Sequence, residues 1–120
     1  MYDHVGLKVS NLDASAQFYA AALKALGHAV LARDAASVGI GPEGGAAGLW
    51  LGRAEAPVGT VHVAFTARTR AAVDAFYRAG LDARGRDNGA PGIRGDYGPS
   101  YYAAFLFDPD GNNVEAVCVK

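Results

Sequence analysis

The stretch His4–Gly27, HVGLKVSNLDASAQFYAAALKALG, returns 58 residues later as His62–Gly85, HVAFTARTRAAVDAFYRAGLDARG. This register aligns His4 with His62, Val5 with Val63, Phe18 with Phe76, Tyr19 with Tyr77, Leu23 with Leu81 and Gly27 with Gly85. Apolar matches come easily in a chain rich in alanine. A doubled His followed at one fixed distance by a doubled Phe-Tyr does not. A period close to half of 120 residues predicts one domain of two similar units, about 1–56 and 57–120. Units related by a pseudo-twofold can bring repeated residues to a common cleft, so the repeat bears on a site as well as on a fold.

Each unit reads as strand, helix, then strands. From His4 to Ser10 the apolar residues Val5, Leu7 and Val9 alternate with polar or small ones, the period of a strand with one buried face. Asn11 can cap a helix whose Tyr19, Ala22, Leu23 and Leu26 recur at helical spacing before Gly27. Residues 28–41 and 46–52 predict three short strands broken by glycines and Pro42. His28, just after Gly27, reads as a surface or capping residue. In the second unit Thr69 can cap a helix with the stripe Val73, Phe76, Tyr77, Gly80 and Leu81. Strands are expected over 81–87, 101–108 and 114–119, with DPDGN at 108–112 as a turn. Residues 87–100, DNGAPGIRGDYGPS, read as a long loop covering a site.

Strand phase separates packing residues from candidate ligands. The phase Val5/Leu7/Val9 excludes His4, Val61/Val63/Phe65 excludes His62, and Val114/Ala116/Cys118 excludes Glu115. If the apolar phase lies beneath the helices, His4, His62 and Glu115 point to the opposite, concave face. Two imidazoles and a carboxylate gathered there form a facial set suited to a divalent metal with open positions. A cation also relieves the cost of desolvating a lone carboxylate. The plainer readings are hydrogen-bonded, half-buried histidines and a Glu115 paired with an arginine.

Composition narrows the classes. A net charge of −1 argues against nucleic acid or an anionic membrane as the main partner. A single cysteine, Cys118, excludes an internal disulfide framework and fits a reducing cytosol. No apolar run approaches a membrane span, and MYDHVGL has no signal-peptide character, so a cytoplasmic protein is expected.

The segments DHVGLKVSNLDASAQFY, VHVAFTARTRAAVDAFY and YYAAFLFDPDGNNVEAV together resemble the vicinal oxygen chelate superfamily, which includes glyoxalase I, fosfomycin-resistance transferases, extradiol dioxygenases and bleomycin-resistance proteins. DPDGN followed by an apolar residue and Glu is the most specific of these matches. The resemblance implies an α+β fold of paired βαβββ modules and a metal on the concave face, usually in a homodimer. It implies His4, His62 and Glu115 as ligands of a divalent ion such as Zn, Mn, Ni or Fe(II). Family members of this length often pair the first module of one chain with the second module of its partner. The site is then expected to take His4 from one subunit and His62 with Glu115 from the other.

This chain departs from the glyoxalase I pattern at GLWLG, 48–52, where a fourth ligand is usual. Leu49 and Leu51 take the buried phase there and Trp50 the cleft phase, and an indole cannot ligate a metal. Gly6, two residues after His4, offers no hydroxyl toward a phosphonate, which disfavours fosfomycin transfer. Extradiol dioxygenases commonly carry twice as many modules. Trp50, Arg94, Tyr97, Tyr101 and Tyr102 are candidates to hold a small anionic or aromatic substrate, although Trp50 and the tyrosines can also be plain packing.

Two functional classes follow. One is a metal-dependent enzyme, a glyoxalase-like lyase, transferase or dioxygenase, with Lewis-acid chemistry on an oxygen-rich small molecule. The other is a metal-free module that sequesters a drug or metabolite. Possession of the three ligands and a near-neutral charge favour the enzyme.

Overall fold

Asn11 and Thr69 set the two helices in place by the same device. Each takes an extended backbone and accepts, through its side-chain oxygen, the amide of the residue three positions on. The computed structural model describes residues 1–56 and 59–120. Its first half runs β1 (Val5–Val9), α1 (Leu12–Lys24), β2 (His28–Arg33), β3 (Ser37–Pro42) and β4 (Leu49–Arg53). The second half repeats the pattern with β5 (His62–Thr66), α2 (Arg70–Asp82), β6 (Arg86–Ile93), β7 (Tyr102–Phe107) and β8 (Asn113–Cys118). The junction expected at 56/57 adjoins residues 57–58, which lie outside the described ones.

The two sheets have matching topologies, β1-β4-β3-β2 and β5-β8-β7-β6. In each, the first strand pairs parallel with the last, and the other pairs are antiparallel. This is the α+β architecture of two βαβββ modules. The expected phases hold where strands cross the core, with Leu7, Val9, Leu51, Val114 and Ala116 buried and Val63 and Phe65 partly so, whereas Val5 and Val61 at the strand starts are exposed. Among the described residues no helix is long and apolar enough to cross a membrane.

The doubled phenylalanine is core in both copies of the repeat, whereas the tyrosines differ: Tyr19 is core and Tyr77 only partly buried. Phe18, Phe76 and Tyr19 are fully buried. The Tyr19 hydroxyl donates to Asp108 at 2.6 Å, so the first module's helix is bonded to the second module's turn. Tyr77 instead donates to Asp87 of its own module at 2.8 Å. The doubled glycine divides similarly. Gly27 takes a left-handed conformation after α1 (φ 88°), whereas after α2 that conformation falls to Arg84 (φ 73°). Gly85 serves close approach, since a Cβ there would collide with the Phe18 ring.

Three expectations are corrected. Residues 86–93 form the strand β6, so only the turn after it remains of the loop expected over 87–100. As the outermost strand, β6 tolerates Pro91 and two register irregularities, which hide its period of two. Helix α2 extends to Asp82, so no strand covers 81–85. His28 is not a surface cap: it opens β2 opposite Pro42, and its Nδ1 is buried without a hydrogen-bond partner. It lines an apolar cleft of about 250 Å³ between the modules, with Val5, Leu23, Ile40, Val63 and Phe65.

A candidate metal centre on the second sheet

Strands β5 and β8 pair in a register that sets Ala64 beside Glu115, and β7 sets Phe105 on the other side of Glu115. Glu115 is thus central in its sheet. It is buried (3% exposed) although it faces away from Val114 and Ala116. A carboxylate so enclosed needs partners, and two side chains supply them. His62 Nε2 lies 2.9 Å from Oε1, and the Tyr101 hydroxyl donates to Oε2 at 2.5 Å. Hydrogen bonding to Glu115, then burial, pushes the Tyr101 phenol up to about 12. Tyr101 therefore stays a proton donor throughout the neutral range.

His62 has a second polar contact. Its Nδ1 is 2.9 Å from the backbone carbonyl of Asn113. A carbonyl oxygen only accepts, so Nδ1 carries the proton and donates. In the neutral ring Nε2 then holds a lone pair aimed at a carboxylate oxygen, and two acceptors do not attract each other. The geometry calls for a positive centre between them, either a proton or a metal cation.

These side chains border a groove of about 400 Å³ lined by His62, Tyr97, Tyr101, Phe105, Asn113 and Glu115. Phe105 stacks against the His62 ring, with centroids 6.3 Å apart and planes 23° apart. Tyr97 packs edge-on to Tyr101 at 5.2 Å. The Arg94 guanidinium lies over Phe105, 5.4 Å from the ring centroid. Four residues singled out in the sequence, His62, Tyr97, Tyr101 and Glu115, thus meet here, with Arg94 alongside.

The remaining candidates lie elsewhere. Tyr102 belongs to the opposite phase of β7 and turns to α2: its hydroxyl donates to Asp74 at 2.6 Å, and Arg70 covers its ring at 5.1 Å. Its expected place beside Tyr101 in the groove is corrected, because adjacent strand residues point to opposite faces. His4 sits just before β1, exposed, with Nδ1 2.8 Å from the Asp3 carboxylate. Among the described residues no three His, Cys, Asp or Glu side chains converge within one chain, so His4 does not join His62 and Glu115 there.

Trp50 occupies in the first sheet the place that Glu115 holds in the second. Gly6 pairs with Trp50 as Ala64 pairs with Glu115, and Gly6 and Ala64 are equivalent in the repeat. The half-buried indole leans across β3, where a Cβ on Gly39 would come within 2.7 Å of it. If a divalent ion is held with His62 and Glu115, Trp50→Glu, which adds a carboxylate on the face away from Leu49 and Leu51, should tighten its binding, read by titration against wild type. Unchanged affinity would mean that the position does not reach the ion.

Sequence reasoning missed Phe105 and Asn113. Phe105 shares the phase of Tyr101 four residues earlier, and that signal was available. Asn113 acts through its backbone carbonyl, which no side-chain pattern reveals.

Residues 2–116 match the family described as the Glyoxalase/Bleomycin resistance protein/Dioxygenase superfamily. A comparison with curated proteins finds no match. Among solved structures, the chain is similar to a glyoxalase/bleomycin resistance protein from Albidiferax ferrireducens, with 28% identity, 98% and 97% of the two chains covered, and a TM-score of 0.83. A glyoxalase/bleomycin resistance protein/dioxygenase family enzyme from Burkholderia phytofirmans shares the fold at 18% identity, with 98% of each chain covered and a TM-score of 0.74. A lactoylglutathione lyase from Agrobacterium tumefaciens shares it at 21% identity, with 98% and 92% covered and a TM-score of 0.69. With the family match over nearly its whole length and the paired modules seen in its sheets, this chain belongs to the glyoxalase/bleomycin resistance protein/dioxygenase superfamily.

Proposed function

We propose that His62 and Glu115 hold a divalent metal ion, that His4 of a second copy of the chain completes the set, and that the protein is a metal-dependent enzyme acting on a small oxygen-rich molecule. The observation that carries this reading is the pair of acceptors facing His62. With Nδ1–H committed to the Asn113 carbonyl, Nε2 and Glu115 Oε1 stand 2.9 Å apart and need a positive centre. Ligand bonds of about 2.0–2.2 Å put adjacent donors on one ion roughly 3 Å or slightly more apart, so a small relaxation fits the pair to a shared cation. A ligating imidazole is usually oriented by donating its other N–H to a carbonyl or carboxylate, and a ligating carboxylate is itself hydrogen-bonded. Asn113 and Tyr101 supply those two supports.

When bound, such an ion would act as a Lewis acid toward the oxygens of a substrate. The chain's own residues shape the rest. Tyr101 keeps its proton on the Glu115 side, Phe105 and Tyr97 give the groove apolar walls, and Arg94 offers positive charge beside them. Trp50 takes the corresponding place on the other sheet.

A metal-free binding module is the second reading. It is favoured by the same chain of contacts with a proton on Nε2, which satisfies Tyr101, Glu115 and His62 without an ion. Titrating chelator-treated protein with Zn, Mn, Ni and Fe(II) separates the two. The enzyme reading expects about one ion per chain, with affinity falling in acid as protons compete for the ligands. No uptake of any of the four ions would leave the binding module.

Sharing of the site between chains has its own test. His4→Ala and Glu115→Ala homodimers should each lose both sites. After subunit exchange about half the dimers are mixed, and in each of these one site has an intact His4, His62 and Glu115. Roughly a quarter of the wild-type sites should then reappear. If mixing restores nothing after verified exchange, the ligands do not come from two chains.

A further inference from the structure

The sheet face that carries Glu115 also carries a guanidinium fixed in place and, among the described residues, paired with no carboxylate. Arg94 follows β6 and stands opposite Tyr101. Its amide donates to the Tyr101 carbonyl at 2.8 Å, continuing the pairing of Ile93 with Tyr102. Directly opposed residues share a face of a sheet, so Arg94 lies on the face of Tyr101 and Glu115. Its side chain runs back along β6, where Nη2 donates to the Ala90 carbonyl at 2.6 Å. That path is open because β6 presents bare backbone. A Cβ on Gly89 would stand 3.1 Å from Nη2, and one on Gly92 would stand 3.2 Å from Nη1.

The position relative to the candidate metal centre follows from register. Glu115 pairs with Phe105 and Phe105 with Gly89, so the sheet runs from the His62–Glu115 pair, across one phenyl ring, to the strand bearing the guanidinium. Nearby Asp87 is committed to the Tyr77 hydroxyl and the Gly89 amide. Among the described residues no carboxylate pairs with Arg94. Guanidinium offers five donors in a planar fork that matches a carboxylate. Tied to backbone and stacked on Phe105, it loses little further freedom when an anion arrives.

We infer that Arg94 is the anion-recognising residue of this groove, and that the ligand is a small molecule bearing a carboxylate or similar oxyanion about one ring's width from the group addressed by His62 and Glu115. The inference deepens the proposed function by naming the ligand class, but the anion subsite itself requires no metal.

Benzoate and benzamide, alike in shape and different in charge, are the probes, used on chelator-treated full-length protein with binding followed by NMR. Wild type should favour benzoate by about tenfold or more. Arg94→Gln should erase that preference while leaving the fold unchanged. Arg94→Lys should restore only part of it, because an ammonium lacks the planar fork. A wild type indifferent to charge, or an Arg94→Gln protein that still prefers benzoate, would overturn the assignment. Because these titrations contain no metal, failure of the metal reading alone would not alter their outcome.

Discussion

Replacing Glu115 with Ala should lower divalent-metal affinity by roughly a hundredfold or more, and His62→Ala should do the same. Each change removes one of two donors standing 2.9 Å apart and leaves the other without a chelating neighbour. The supporting contact gives a graded version of the same effect. Tyr101→Phe keeps both donors but deletes the bond to Glu115 Oε2, and should cost tenfold to a hundredfold in affinity, the usual range for such supports. Isothermal titration of the three variants against wild type measures all of this. Undiminished affinity in both alanine variants would remove His62 and Glu115 as ligands.

Asp108→Ala should destabilise the fold by about 4 kcal/mol or more, since it leaves several donors without an acceptor at about 1–3 kcal/mol each. Asp108 is 1% exposed. It accepts from the Tyr19 hydroxyl at 2.6 Å, from the Asn112 side chain and amide at 2.8 Å each, and from the Asp110 amide at 2.9 Å. One carboxylate thus shapes the turn before β8 and bonds that turn to α1. Tyr19→Phe removes only one of these bonds and should cost about 1–2 kcal/mol. Denaturant unfolding reads both changes. A loss below about 1 kcal/mol for Asp108→Ala would show that water replaces the network at little cost.

Asp108 also explains why the end of the chain was the most readable part of the sequence. DPDGN looked like a turn, but its first residue is also a buried acceptor between modules, and that constraint ties a local motif to the whole fold. The repeat was legible for a related reason: both copies place a phenylalanine in one core, so the pattern had to survive twice. Phase carried the placement of Glu115. Val114 and Ala116 fill the core beneath α2, which leaves Glu115 facing the other way, as alternation requires.

What escaped was set by backbone or by edges. Strand β6 has glycines where a period of two needs side chains, because the Arg94 side chain lies over Gly89 and Gly92. It therefore read as a loop. The Asn113 carbonyl that orients His62 leaves no mark in residue type. Tyr101 and Tyr102 are both substrate candidates in the sequence, yet one reaches Glu115 and the other Asp74, and strand alternation is enough to separate them. His4 was legible as the partner of His62 in the repeat, but its distance from that residue within one chain depends on how whole modules pack.

A nitrogen NMR spectrum of the imidazole rings, recorded during zinc titration, tests the central claim most directly. The chain has only three histidines, His4, His28 and His62, so each ring can be followed individually. The Nε2 resonance of His62 should shift on metal binding while its Nδ1 keeps the proton held toward the Asn113 carbonyl. The His4 ring should respond with it, and His28, half-buried at the seam between the modules, should not. A His62 ring that stays unchanged through saturating zinc would contradict the account.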